Sequence, residues 1–233
     1  EHGVYCYEGK TIKQYTEKDG LSYHTLMCTN EDAEGNIWLS TFKGMTKLTR
    51  KKEGGFIFST VFSEHIDKGL NYMMMDDRKG NLWFATTNNG IVKYNKTKNT
   101  FTKINSKNGL TGEIILTLTK DREGNIWASN WGFGVSMFQG ERFIHFTEKD
   151  GFSKDVIAQV INDGKGGLII NASKGIYKYN EKDGIELLDK QLENFGAYAI
   201  ALDNNGVLWL GDTGGLFSYS NGKLKKYTKA DGM

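Results

Sequence analysis

One short phrase, Asp-x-x-Gly-x-aliphatic-Trp, recurs along this chain. It reads DAEGNIW at 32–38, DRKGNLW at 77–83 and DREGNIW at 121–127, with looser copies DGKGGLI at 163–169 and DNNGVLW at 203–209. The anchoring residues Asp32, Asp77, Asp121, Asp163 and Asp203 stand 45, 44, 42 and 40 residues apart. Self-similarity at that spacing means that each copy is one supersecondary unit, stacked on its neighbours because it cannot bury its apolar face alone. Helical repeats share the period, so strand signals must decide.

The third copy is the clearest. EIILTLTK (113–120), IWASN (126–130), VSMFQ (135–139) and RFIHFT (142–147) are short runs rich in β-branched and aromatic residues. Gly, Asn and Asp bound them, and none shows a 3.6-residue period. GIVKYN (90–95), GIYKYN (175–180) and GLFSYS (215–220) are equivalent third strands, and FTKI (101–104) and LKKYT (224–228) equivalent fourth strands. The segments EKDGL (17–21), SKNGL (106–110), EKDGF (148–152) and KADGM (229–233) connect one unit to the next. The expected fold class is therefore all-β, a β-propeller of four-stranded antiparallel blades. At the ends, GVYCYEGKTIKQYTEKDGL aligns with GLFSYSNGKLKKYTKADGM. That gives an N-terminal two-stranded half blade at 1–21 and five complete blades at 22–66, 67–109, 110–151, 152–193 and 194–233, a single propeller read as a fragment. Ring closure is left open, and open blade edges make oligomerisation an expectation.

Within each copy the aspartate is expected to accept backbone N–H bonds two residues on, and the glycine to supply positive φ. Trp38, Trp83, Trp127 and Trp209 recur once per blade, which suits packing between stacked sheets better than a sugar platform. Ile169 takes that place in the fourth copy, as a packing slot allows. A calcium loop would need oxygen ligands at alternate positions, and the copies lack them. No metal site, cofactor or catalytic residue is expected.

With 29 glycines and no proline, the turns must run on Gly, Asn and Asp. A net charge of +2 gives no electrostatic footprint for nucleic acid. No apolar stretch is long enough to span a membrane, so no membrane contact is expected within the chain. Cys6 and Cys28 lie outside metal spacing and read as buried thiols, with their pairing open. The lysines in TRKKE (49–53) and YNKTKN (94–99) read as solvated edge residues.

The pattern DGL, a first strand, D-x-x-G-N-[IL]-W-[LFA]-[SA]-T and then G-[IVL]-x-x-Y resembles the two-component regulator propeller repeat over residues 3 to 233. It is strongest at 76–95, DDRKGNLWFATTNNGIVKYN, and at 202–219, LDNNGVLWLGDTGGLFSY. The resemblance implies an extracytoplasmic sensor region of a bacterial hybrid histidine kinase, on the periplasmic or extracellular side. Its neighbours would be further domains of the parent sensor, and its role non-catalytic ligand binding linked to polysaccharide use. Streptogramin B lyases share the Gly-Asn-aliphatic-aromatic pattern and use a metal and a catalytic histidine. Here the histidines are His2, His24, His65 and His145, with no His-x-His pair. A scaffold that binds a protein partner is the other reading.

In a rigid repeat scaffold, specificity belongs to loop residues that break the repeat. The second-to-third strand loops read TFKG (41–44), TTNNG (86–90), NWGFG (130–134), ASKG (172–175) and DTGG (212–215). The glycine before the third strand recurs and is structural. Phe42, Lys43, Asn88, Asn89, Asn130, Trp131, Phe133, Lys174 and Asp212 do not recur. Trp131 stands out, because Thr87 is its equivalent in the second copy. A loop aromatic beside amides and a carboxylate suits an oligosaccharide or other small extracellular ligand. His24, Tyr72 and Asp155 begin first strands near the same face.

Overall fold

Four short runs per repeat become four antiparallel strands per sheet, each strand pairing with the next in sequence. The computed structural model describes residues 3–61, 71–151 and 156–232. The half blade is Val4–Glu8 and Thr11–Tyr15. The first blade is Leu26–Glu31, Ile37–Thr41, Gly44–Arg50 and Phe56–Val61; the second is Asn71–Asp76, Asn81–Thr86, Ile91–Asn95 and Thr100–Ile104. The third is Ile115–Lys120, Ile126–Asn130, Gly134–Gln139 and Arg142–Phe146. The fourth is Ile157–Asn162, Leu168–Ala172, Gly175–Asn180 and Gly184–Leu187, and the fifth Ala199–Leu202, Leu208–Asp212, Gly215–Ser220 and Lys223–Tyr227. The all-β class, the two-stranded half blade and the five four-stranded blades are as expected. The junction expected at 66/67 lies outside the described residues, as does the start of the fourth blade at 152.

The chain divides into two compact units, Glu1–Ile115 and Leu116–Met233. In the first, Tyr15 of the half blade is buried with Leu39, Leu48 and Phe56 of the first blade. Trp38 of the first blade is buried with Met74, Phe84 and Val92 of the second. In the second unit, Trp127 and Met137 pack on Ile157, Leu168 and Tyr177, and Ile169 and Ile176 pack on Ile200, Leu208 and Leu210. The core is thus a series of layers between successive sheets, which is why no blade's apolar face suffices alone.

The connectors are more ordered than linking segments. Glu17–Asp19, Ser106–Asn108, Glu148–Asp150 and Lys229–Asp231 are single 3-10 turns, each closed by a capping box and a left-handed glycine. The fourth blade departs: Lys190–Leu192 ends on extended Glu193.

Three expectations need correction. Cys6 and Cys28 are free thiols and only half-buried. Burial still pushes the Cys28 thiol up from its ordinary value. Lys96, expected at a solvated edge, bridges two blades. Its Nζ lies 2.6 Å from Glu34 of the first blade and 3.0 Å from Asp76 of the second. Asp76 is nearly buried and also accepts the Ala33 and Arg78 N–H groups. The aspartate–tryptophan relation was also incomplete, as the site geometry shows.

Candidate functional site

In four of the five copies, those of Asp32, Asp77, Asp121 and Asp203, the Asp-x-x-Gly turn is a closed polar knot. Oδ1 of Asp32 accepts the Glu34 and Asn36 N–H groups at 3.1 and 2.8 Å, as the Asx turn requires. Its Oδ2 then accepts the Trp38 indole N–H at 2.8 Å. The same indole bond is 3.0 Å from Trp83 to Asp77, 2.7 Å from Trp127 to Asp121 and 3.1 Å from Trp209 to Asp203. Asn36, Asn81 and Asn125 add their side-chain amides to the same carboxylates. Burial raises the pKa of Asp32 and Asp77, but the indole, the amide and the backbone donors outweigh it and hold both below the usual carboxylate range. The Asp and the Trp are therefore one structural device, saturated by its own donors.

The other end of each sheet carries the variable loops. Thr41 and Thr86 brace theirs by donating to the carbonyls of Gly44 and Gly90, both at 2.9 Å. The recurring glycine has a steric cause. A Cβ on Gly90 would stand 2.2 Å from the Ile104 carbonyl oxygen, and one on Gly134 2.2 Å from that of Phe146. The fourth strand's last carbonyl occupies the space a side chain would need.

In the first unit, Phe42 is 41% exposed. The Lys43 ammonium sits 4.3 Å over the Tyr23 ring, and Tyr23 lies against the His24 ring at a 36° tilt, with His24 Nδ1 3.0 Å from Glu17. Asn88 is exposed, and Asn89 donates to it at 3.0 Å. Tyr72 is described in backbone alone, as part of the strand Asn71–Asp76, and Asp155 lies outside the described residues.

In the second unit, Trp131 and Phe133 flank Gly132 in one tight turn, closed by the Phe133 N–H on the Asn130 carbonyl at 3.2 Å. Both rings face solvent, at 52% and 58% exposure. Asn130 beneath them is fully buried and donates to Ser136 at 2.9 Å, so it belongs to the sheet and has no surface for a ligand. Lys174 is exposed, and its carbonyl holds the Asn194 N–H at 2.8 Å. Asp212 is half-buried and accepts the Gly214 N–H at 2.6 Å. The three loops lie at corresponding ends of their sheets, each between a second and a third strand.

Tyr198 was missed by the repeat frame. It is 74% exposed, and its N–H bonds the Gly211 carbonyl at 2.8 Å, which puts it beside the Asp212 loop. It lies in a connector, NFGAY (194–198), that lacks the Asp-Gly or Asn-Gly pair of EKDGL, SKNGL, EKDGF and KADGM. That departure was the available signal. Among the described residues no group of three or more His, Cys, Asp or Glu is placed to hold a metal ion. No described helix is long and apolar enough to cross a membrane.

The sequence matches no family model and no curated protein. Solved structures do resemble it. The extracellular domain assigned to the hybrid two-component system BT3049 of B. thetaiotaomicron has a TM-score of 0.71 and 16% identity over 91% of this chain. That of the one-component system BT4673 from the same organism has a TM-score of 0.72 and 19% identity over 89%. The chain spans 31% and 29% of the length of these two proteins. A catalytically inactive virginiamycin B lyase from Staphylococcus aureus, solved with quinupristin, has a TM-score of 0.72 and 15% identity, over 96% of this chain and 76% of the lyase. These are likenesses of fold.

Proposed function

We propose that this chain is part of the extracytoplasmic sensor propeller of a bacterial two-component signalling protein, and that its variable-loop face binds an oligosaccharide. The observation that carries the reading is the exposed pair Trp131 and Phe133, two aromatic rings held in one glycine-bounded turn where the first blade has Phe42 alone and the second, fourth and fifth have small or polar residues. Rigid aromatic faces next to ammonium and carboxylate groups stack on sugar rings and bond their hydroxyls at small entropic cost. Tyr198, Lys174 and Asp212 supply such groups on the neighbouring blades of the same unit. The fold likeness to extracellular domains of signalling systems supports the sensor role and the extracytoplasmic side.

The role is non-catalytic. His24 is engaged by Glu17, and His145 Nδ1 lies 3.0 Å from Ser136 Oγ within the sheet. A glycan array probed with the 233-residue chain tests the reading. An oligosaccharide class retained by the chain and lost on Trp131→Ala is expected. Retention unchanged by that substitution contradicts the site, and cleavage of a streptogramin substrate contradicts the non-catalytic role.

A further inference from the structure

The fourth blade lacks the indole but keeps what surrounds it. In the third blade, Trp127 is walled by Phe146 at 5.1 Å and by Tyr179 of the next blade at 4.7 Å between ring centroids. The corresponding walls around Ile169 are Leu188 and Tyr219, both packed on the same cluster. Ile169 pairs with Lys178 across the sheet, as Trp38 pairs with Lys47 and Trp83 with Lys93. Those two lysines hold their ammonium groups 5.6 and 4.9 Å over the indole rings. Among the described residues Lys178 has no ring beneath it, and it pairs with Glu186 at 2.9 Å.

The acceptor is also retained. Asp163 Oδ1 takes the Lys165 and Gly167 N–H groups at 2.7 and 2.8 Å, as in the other turns. Its Oδ2, which elsewhere receives an indole N–H, has no hydrogen-bond partner among the described residues. Gly167 replaces the amide-bearing asparagine of the first three copies, and a Cβ there would stand 2.8 Å from that same oxygen. Where the indole would lie there is a cleft of about 340 Å³, lined by Asp163, Ile169, Lys178, Leu188, Leu208 and Tyr219. Burial and the Asp189 carboxylate push the Tyr219 hydroxyl up to about 12, so it stays protonated and donates to Asp189 at 2.8 Å, fixing that wall.

We infer that the cleft between the fourth and fifth blades is a binding site for an indole-class small molecule. The ring N–H would donate to Asp163 Oδ2, the ring would pack between Leu188 and Tyr219, and Lys178 would sit over its face. The four tryptophans of the other copies define the shape and the single donor that such a slot accepts. The site lies at the Asp-x-x-Gly end of the sheets, opposite the variable loops, and does not rest on the sugar reading.

Ligand-observed NMR on the 233-residue chain with indole and 1-methylindole is the test. Indole is expected to bind with a Kd on the order of 1 mM, typical of so small a ligand. 1-Methylindole, which lacks the N–H, should bind at least about tenfold more weakly. Ile169→Trp refills the slot and should abolish indole binding while raising the melting temperature. Asp163→Asn, which keeps a turn acceptor but presents an amide to the ligand, should weaken indole to the level of 1-methylindole. Trp131→Ala should leave indole binding unchanged. Failure of indole to bind up to its solubility limit, equal binding of the two probes, or indole binding undiminished in Ile169→Trp would each overturn the assignment.

Discussion

At the scale of single residues, repetition separated structure from function, but it understated the structural part. Asp77 holds two backbone N–H groups, an amide and an indole. Asp77→Ala leaves these donors facing a void and should cost about 3 kcal/mol in denaturant unfolding, since buried donors without acceptors are expensive. A loss below about 1 kcal/mol would refute the knot. The folded-state pKa values of Asp32 and Asp77 are lowered. Their contribution is therefore complete above the unfolded value of about 3.9 and is lost as pH falls through the folded values. The melting temperature should hold level above about pH 5 and drop below about pH 4. The Asx turn was legible in the sequence because it spans two residues. The indole bond was not, because Asp and Trp are six residues apart and meet only once the turn reverses the chain.

At the scale of the element, the blade is built from parts that sequence shows unequally. The strands were legible because turn residues bound them and each recurs four or five times. The capped 3-10 connectors are legible as recurring segments but not as turns, because the capping bonds form between residues three apart only once the chain reverses. Gly134→Ala tests the steric cause of the loop glycine. Its φ of +76° and the Phe146 carbonyl both oppose a Cβ. The substitution should cost about 2 kcal/mol, more than a left-handed glycine in open space would, and a neutral change by thermal melting would contradict it. The Lys96 bridge to Glu34 and Asp76 was illegible, since 62 residues separate Lys96 from Glu34 and nothing local marks the contact. Ile169 was legible as a lost tryptophan, whereas the cleft it leaves depends on Leu188 and Tyr219 standing where they do.

At the scale of the whole molecule, the repeated frame carries stability, and recognition is proposed to lie on the unrepeated surface. The candidate loops were legible as departures from the frame, while their exposure was not: Asn130 turned inward, Trp131 and Phe133 outward, and Tyr198 escaped notice in an irregular connector. One comparison tests the division most directly, namely unfolding free energy and oligosaccharide affinity measured together for Trp127→Ala and Trp131→Ala. Trp127 is fully buried with its N–H on Asp121, so its loss should cost about 4 kcal/mol of stability. Trp131→Ala should change stability by less than about 0.5 kcal/mol and weaken the sugar at least about tenfold. An affinity untouched by Trp131→Ala in a fully folded protein would contradict this division of stability and recognition.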